Sequence, residues 1–394
     1  MTTDFSQSLA ETARHAPASG ISDVATYGRA RAGVVPFWVG EADLPTPQFI
    51  RDATTRSLAA GETFYTGSRG IPDLREALAR YHSRFFDKPF EPDRFFVTAS
   101  GMHAITLAIS IVAGKHEEIL VPTPAWPNFA GAVGVHGAVP VAVPMRLTNA
   151  GWFLDLDDLA AHITPATRAI FLNSPCNPTG WTASREELVA VRDLARKHGL
   201  WIIADEVYTR FVYDDSPRAA SFHDVEEDGD LILYTNTFSK NWAMTGWRIG
   251  WLEAPPALAQ TIENLIQYSS SGTAVFMQRG AVAALDHGDG FIDHQVARVK
   301  RNRAVICDAF DKSPRVRYSA PAGAFYMFFA IDGEPDTRAL AFRLMDDIKI
   351  GLAPGGAFGA AGNGFLRMCF ARTPESVTDA VERLTLWLDR AGSR

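Results

Sequence analysis

Short apolar runs recurring at helix-length intervals constrain this chain more than any other feature. They fall at 95–99, 119–121, 139–143, 169–173, 201–204, 231–235 and 248–252. Several are nearly continuous in Val, Ile, Leu, Phe and Ala, as expected of strands buried on both faces. Helical patterning fills the gaps between them. The stretch 184–198, for one, opens on Ser184-Arg185-Glu186-Glu187, the spacing of a capping box. Strands separated by helices imply βαβ units. The expected fold class is therefore α/β, three layers with a mostly parallel seven-stranded central sheet covered on both sides.

The pattern changes near 290. A long helical stretch at 291–310 precedes strand-like runs at 316–318, 324–330 and 364–370, with helical patterns at 336–347 and 374–390. This section reads as a smaller α+β domain. The expected division is a large domain at 36–289 and a small one formed by 1–35 and 290–394. The glycine-rich stretch 351–364 reads either as a loop near a site or as a plain surface connection.

With 394 residues, 47% apolar and 21% charged, the chain can bury the core of two domains. A net charge of −7 argues against a nucleic-acid partner. Cys176, Cys307 and Cys369 lie far apart without CxxC spacing, which favours a reducing compartment and gives no reason to expect a metal. Residues 1–20 carry Asp4 and Glu11 and lack an apolar run of signal-peptide length. No run is long enough to span a bilayer, so the expected location is cytoplasmic, with no membrane partner.

Ligands of open α/β sheets bind at the carboxyl ends of the strands. Those ends carry Ser100-Gly101-Met102, then Pro122-Thr123-Pro124-Ala125-Trp126, then Asn173 to Gly180, then Asp205-Glu206-Val207-Tyr208. The sixth run delivers Thr237, Ser239 and Lys240, and Arg248 follows eight residues later. An amine beside hydroxyls and a guanidinium suits an aldehyde that carries a phosphate. An aromatic plane, an amide, a carboxylate and a phenol converge on the same rim. A lysine is usually only a solvated charge, but this setting reverses that presumption.

The chain resembles the class I/II aminotransferases of pyridoxal-phosphate fold type I, the aspartate aminotransferase superfamily. The likeness runs from Gly40-Glu41-Ala42-Asp43 through Tyr65-Thr66-Gly67 and Asn177-Pro178-Thr179-Gly180 to the Lys240–Arg248 signature and Phe365-Leu366-Arg367. Asn-Pro-Thr-Gly alone could be a plain turn; the order and spacing of all five segments are specific.

The resemblance implies a role for each residue. Lys240 would hold pyridoxal 5'-phosphate as a Schiff base and carry protons. Asp205 would face the pyridine nitrogen, while Tyr208 and Asn177 would donate to the phenolic oxygen. Trp126 would stack on the ring. Ser100, Gly101 and Met102 would cradle the phosphate at a helix start, with a one-residue ambiguity of register, completed by Thr237, Ser239 and Arg248. Tyr65 would reach the phosphate of a neighbouring subunit, so a homodimer is expected. Arg367 would clamp the substrate carboxylate in preference to Arg372, with Gly40 and Asn177 beside it. Cys176 is read as packing. The implied reaction is ping-pong transfer of an amino group between an L-amino acid and a 2-oxo acid.

The same fold also serves C–S β-lyases and other lyases, the main alternative. A transcription regulator on an aminotransferase body would need an extra N-terminal domain, for which no room is expected before about residue 37. For the substrate, 100–103 and 269–273 offer only His103 and hydroxyls to read a second carboxylate. Trp38, Phe37, Phe329 and Phe358 are apolar candidates for the pocket. A neutral or aromatic amino acid is therefore expected.

Overall fold

A computed structural model describes residue 5 and residues 8–391. Asp4 and the rest of the small-domain expectation at 1–4, 6–7 and 392–394 lie outside the described residues.

The large sheet contains β1 (Phe95–Thr98), β2 (Glu118–Thr123), β3 (Val139–Pro144), β4 (Thr167–Asn173), β5 (Trp201–Asp205), β6 (Ile232–Thr237) and β7 (Gly250–Glu253). Their spatial order is β1-β7-β6-β5-β4-β2-β3. Only β7 runs antiparallel, against both β1 and β6. The continuous apolar runs have the expected consequence. Ile170, Leu172 and Ile202 enter one core, while their neighbours Ala169, Phe171 and Ile203 enter another on the opposite face. The capping box is formed: Ser184 Oγ accepts from Glu187 N–H at 3.2 Å, and Glu187 Oε2 accepts from Ser184 N–H at 2.7 Å.

The second sheet contains β8 (Val316–Tyr318), β9 (Tyr326–Ile331), β10 (Ala353–Pro354) and β11 (Phe365–Cys369), in the order β8-β9-β11-β10 and antiparallel throughout. Two strands start two residues later than expected. Arg248 and Ala324 have φ of 52° and 55°, a left-handed conformation that cannot continue a strand. The glycine-rich stretch is not a plain surface connection: its Phe358 ring lies 4.9 Å from the Arg367 guanidinium. It supplies β10 and two short 3-10 turns, and Phe358 O accepts from Ala125 N–H at 2.9 Å.

The N-terminal segment packs on the second sheet's helices. Val35–Pro36 pairs in parallel with Ile350–Gly351. In the Ser22–Arg29 helix, Tyr27 donates to Asp346 at 2.7 Å and meets Phe342 edge-on at 4.6 Å. Gly28 and Gly351 flank the Trp38 indole so closely that a Cβ at either would overlap its ring. No helix among the described residues is long and apolar enough to cross a membrane.

Candidate active site

A cavity of about 520 Å³ opens at the carboxyl ends of β1, β4, β5 and β6. Lys240 enters it from the one-turn helix Phe238–Asn241, directly after β6. Its Nζ donates to Gly40 O at 2.8 Å and stands 5.9 Å from the centre of the Tyr208 ring. Burial holds the amine down to about 8, helped by Arg367 and opposed by Cys369, Glu41 and Asp205. An amine in this range exchanges protons near neutral pH.

Asp205 closes β5 and is 3% exposed. Burial pushes its carboxyl up to about 7, against the Val207 N–H and the Lys240 charge. Its Oδ1 is buried without a hydrogen-bond partner. Such an acceptor is rare in a folded protein and calls for an explanation.

Tyr208 is buried beside it, and its hydroxyl shares a hydrogen bond of 2.7 Å with that of Tyr326. Burial, then Tyr326, keep the Tyr208 phenol protonated far above its ordinary range. Asn177 follows β4, with its backbone N–H bound to Asn173 Oδ1 at 2.8 Å. Its side-chain Oδ1 accepts from Arg367 Nη1 at 3.1 Å, which leaves the amide's donor end free.

Arg367, on β11, is 2% exposed. Nη2 donates to Trp38 O, Nη1 to Asn177, and Nε has no partner. Three of its five N–H groups are therefore uncommitted. Tyr326 and Phe358 lie against the guanidinium at 4.7 and 4.9 Å. Arg372 does not line the cavity; it donates to Pro36 O at 2.7 Å.

At the other end, Ser100 caps the Gly101–Val112 helix by accepting from His103 N–H at 3.0 Å. Gly101 and Met102 line the cavity, together with Thr237, Ser239 and Arg248. Thr237 Oγ1 and Ser239 Oγ are 2.9 Å apart. Close packing explains the glycines here. A Cβ on Gly101 would stand 3.0 Å from that of Thr237, and one on Gly250 would stand 2.8 Å from Gly101 N. Trp126 forms a further part of the wall.

The structure thus gathers Lys240, Asp205, Tyr208, Asn177, Trp126, Gly101, Met102, Thr237, Ser239, Arg248, Arg367 and Gly40 around one cavity, with Ser100 behind its rim. Tyr65 is not among them and is 94% exposed. Phe37, Phe329 and Phe358 are core residues, so of the four apolar pocket candidates only Trp38 lines the cavity. His103 also faces elsewhere. Its Nδ1 accepts from Ala99 N–H at 3.1 Å and its Nε2 meets Ser269 Oγ at 2.8 Å. Cys176 is buried and its thiol pushed up to about 11 by burial, which suits packing.

Two contributors escape sequence reasoning. Tyr326 sits in a strand whose apolar run gives no hint of a hydroxyl role. Ser22, Ala25, Thr26 and Arg29 line one wall with the i, i+3, i+4, i+7 spacing of a helix face, although nothing local says what that face meets.

The sequence model of the family aminotransferase class I and II matches residues 32–384. The chain belongs to that family. A probable aspartate/prephenate aminotransferase of Aquifex aeolicus is 34% identical over 365 residues, 89% of this chain and 90% of its own. An aromatic-amino-acid aminotransferase of Thermococcus litoralis is 31% identical over 358 residues, 89% of this chain and 91% of its own. The crystal structure of an aspartate aminotransferase from Thermotoga maritima superposes with a TM-score of 0.90 at 30% identity, covering 97% of this chain and 100% of that one. This aminotransferase therefore has the fold type I architecture, and its family is pyridoxal-phosphate-dependent. The matching relatives are transaminases by name, and the C–S lyase alternative is not favoured.

Proposed function

We propose that this transaminase binds pyridoxal 5'-phosphate through Lys240 and uses it on a neutral or aromatic amino acid and a 2-oxo acid. The observation that carries the reading is the unpartnered Oδ1 of buried Asp205, on the cavity wall with Lys240. A protonated ring nitrogen is the donor such an oxygen lacks, and it would supply the opposite charge that burial denies. When bound, the cofactor supplies an electron sink for the substrate's Cα.

The chain's own groups divide the remaining work. Lys240 moves a proton at the substrate's Cα, with its amine held near neutrality by burial. Tyr208 and the free donor end of Asn177 orient the ring's phenolic oxygen, with Tyr326 fixing the Tyr208 hydroxyl. Ser100, Gly101 and Met102 at the helix start, with Thr237, Ser239 and Arg248, receive the phosphate. Trp126 covers the ring face. Arg367 offers its uncommitted N–H groups to the substrate carboxylate beside Gly40.

The side-chain reading rests on Ile21, Ala25 and Trp38 in the wall, and on His103 being bound elsewhere. Arg29 lies at the exposed end of its helix. We assign the chain two domains, 36–289 and 1–35 with 290–394, and a homodimer in which Tyr65 crosses to the partner's phosphate. A cytoplasmic location goes with these assignments.

Half-reactions test the proposal. Adding phenylalanine, tyrosine, leucine or aspartate without an oxo acid should convert the yellow enzyme to its aminated form, fastest with a neutral or aromatic donor. Release of ammonia with no such conversion would overturn transamination, and a clear preference for aspartate would overturn the substrate class. Lys240→Ala should lose the yellow colour and reduce turnover by orders of magnitude; full activity would remove the lysine from its role.

A further inference from the structure

Behind the sheet, away from the cavity, His82, His223 and Glu253 come together from three separate elements. His82 lies in the Pro72–Phe86 helix, His223 in the short turn Phe222–Asp224, and Glu253 at the end of β7. All three are buried, Glu253 completely. Their ligand-capable atoms lie within 4.8 Å of one another. Glu253 Oε2 is 3.2 Å from His223 Nε2 and 4.0 Å from His82 Nε2.

The outer bonds of each group leave one particular atom facing the centre. His82 Nδ1 is 2.8 Å from Leu78 O, a carbonyl that can only accept, so the proton is on Nδ1 and Nε2 keeps its lone pair. His223 Nδ1 is 3.4 Å from Glu226 Oε1, which favours the same tautomer. Glu253 Oε1 accepts from Arg94 Nε at 2.8 Å, while the buried Oε2 turns to the centre, 3.2 Å from His223 Nε2. Histidines bound outward to a carbonyl or carboxylate, with Nε2 turned inward, have the arrangement of metal ligands and their supports.

Stacking holds the rings in place. Tyr234 lies flat on His223 at 3.8 Å, and Phe95 packs against His82 at 4.8 Å. A void of about 20 Å³ borders the three ligands, room for one water as a fourth. Zinc bonds of about 2.0–2.2 Å place tetrahedral ligand atoms about 3.3 Å apart. The His223–Glu253 separation of 3.2 Å already meets that. His82 Nε2, 4.0 Å from Glu253 Oε2, must close by about 0.7 Å, and the three atoms, now within 4.8 Å of one another, must draw together by up to about 1.5 Å.

We propose that His82, His223 and Glu253 bind a divalent transition metal, zinc for preference, as a structural site distinct from the active site. Two imidazoles and one carboxylate are borderline ligands suited to zinc rather than to calcium or magnesium. The ion would tie the helix, the turn and the strand together. Glu206, next to Asp205, already grips that turn through Ser221 Oγ at 2.7 Å and Phe222 N–H at 3.1 Å. The metal would thus stiffen the backing of the active-site carboxylate. Cysteine spacing could not reveal such a site, because its ligands are far apart in sequence and none is a cysteine.

The rival occupant is a proton. Without an ion, an imidazolium at His223 would balance Glu253 and Glu226. Elemental analysis separates the two. The cofactor-loaded enzyme, produced with zinc sulfate in the medium and passed through a desalting column, should carry one zinc per chain, and His223→Gln and Glu253→Gln should carry none. Protein refolded with cobalt chloride should show the visible bands of four-coordinate cobalt, a readout that holds if the variants fail to fold. Wild-type enzyme that stays metal-free after both treatments, or variants that keep a full zinc complement, would overturn the site.

Discussion

Replacing Asp205 by Asn tests the balance between stability and function at the candidate site. The Asp205 carboxyl is 3% exposed and pushed from an ordinary 3.8 to about 7, chiefly by burial. At about 1.4 kcal/mol per pKa unit, that rise corresponds to about 4 kcal/mol of destabilisation once the group is ionised. The sign follows from proton counting. Between pH 4 and 7 the unfolded chain has released this proton and the folded chain keeps it, so stability falls as pH rises through the window. Above 7 the whole cost is present.

Asparagine has no such proton, but its amide would bury an unpaired donor at about 1–3 kcal/mol. The net gain for cofactor-free Asp205→Asn at pH 8 is then about 1–3 kcal/mol, or a few degrees in Tm for a chain of this length. At pH 5 the wild-type carboxyl is neutral, and the gain should vanish or reverse. Saturating pyridoxal phosphate should reverse the order at pH 8 as well, because only the wild type offers an anion to the ring nitrogen. Thermal melts of both proteins at the two pH values, with and without cofactor, provide the measurement. A Tm difference between the two proteins that ignores pH would refute the desolvation argument, and equal cofactor stabilisation of both would refute the ring-nitrogen assignment.

Three further outcomes are expected. Arg367→Lys removes the planar fork and its bonds to Asn177 and Trp38, so KM for both the amino acid and the oxo acid should rise roughly tenfold to a hundredfold, from about 1.5–3 kcal/mol per charge-assisted bond; unchanged KM values would count against the clamp. Gly28→Ala places a methyl in the Trp38 ring and should cost about 1–3 kcal/mol in thermal or urea unfolding, whereas Gly134→Ala, with open space around it, should cost nothing. Mixing inactive Lys240→Ala subunits with Tyr65→Ala subunits should restore activity above the sum of the two, because a mixed dimer has one site with both native residues; no gain would place Tyr65 outside the partner's site.

The fold class was legible because a strand buried on both faces must be apolar at every position, and such runs recur at helix-length intervals from Phe95 to Glu253. Lys240, Asp205 and Asn177 were legible for a related reason. A parallel sheet directs the carboxyl ends of its strands to one rim, so residues just after the apolar runs must meet there. Other features depend on how remote segments pack. Arg367 rather than Arg372 lines the cavity because β11 carries the first there and ends before the second, which turns to Pro36 O. Tyr326 joins the cavity wall only because β9 sets its hydroxyl against Tyr208.

The same division accounts for the remaining surprises. Helical spacing can describe the face of Ser22, Ala25, Thr26 and Arg29, but only the docking of that helix on the Thr337–Ile348 helix turns it toward the cavity. His82, His223 and Glu253 share no local pattern at all. The sequence by itself determined the sheet, its rim and the chemistry set along it, since those follow from periodicity and chain direction. Tertiary structure alone decided which carboxylate oxygen lacks a partner, which arginine faces inward and which ring nitrogens meet, since each depends on atoms far apart in the chain approaching within a few ångströms.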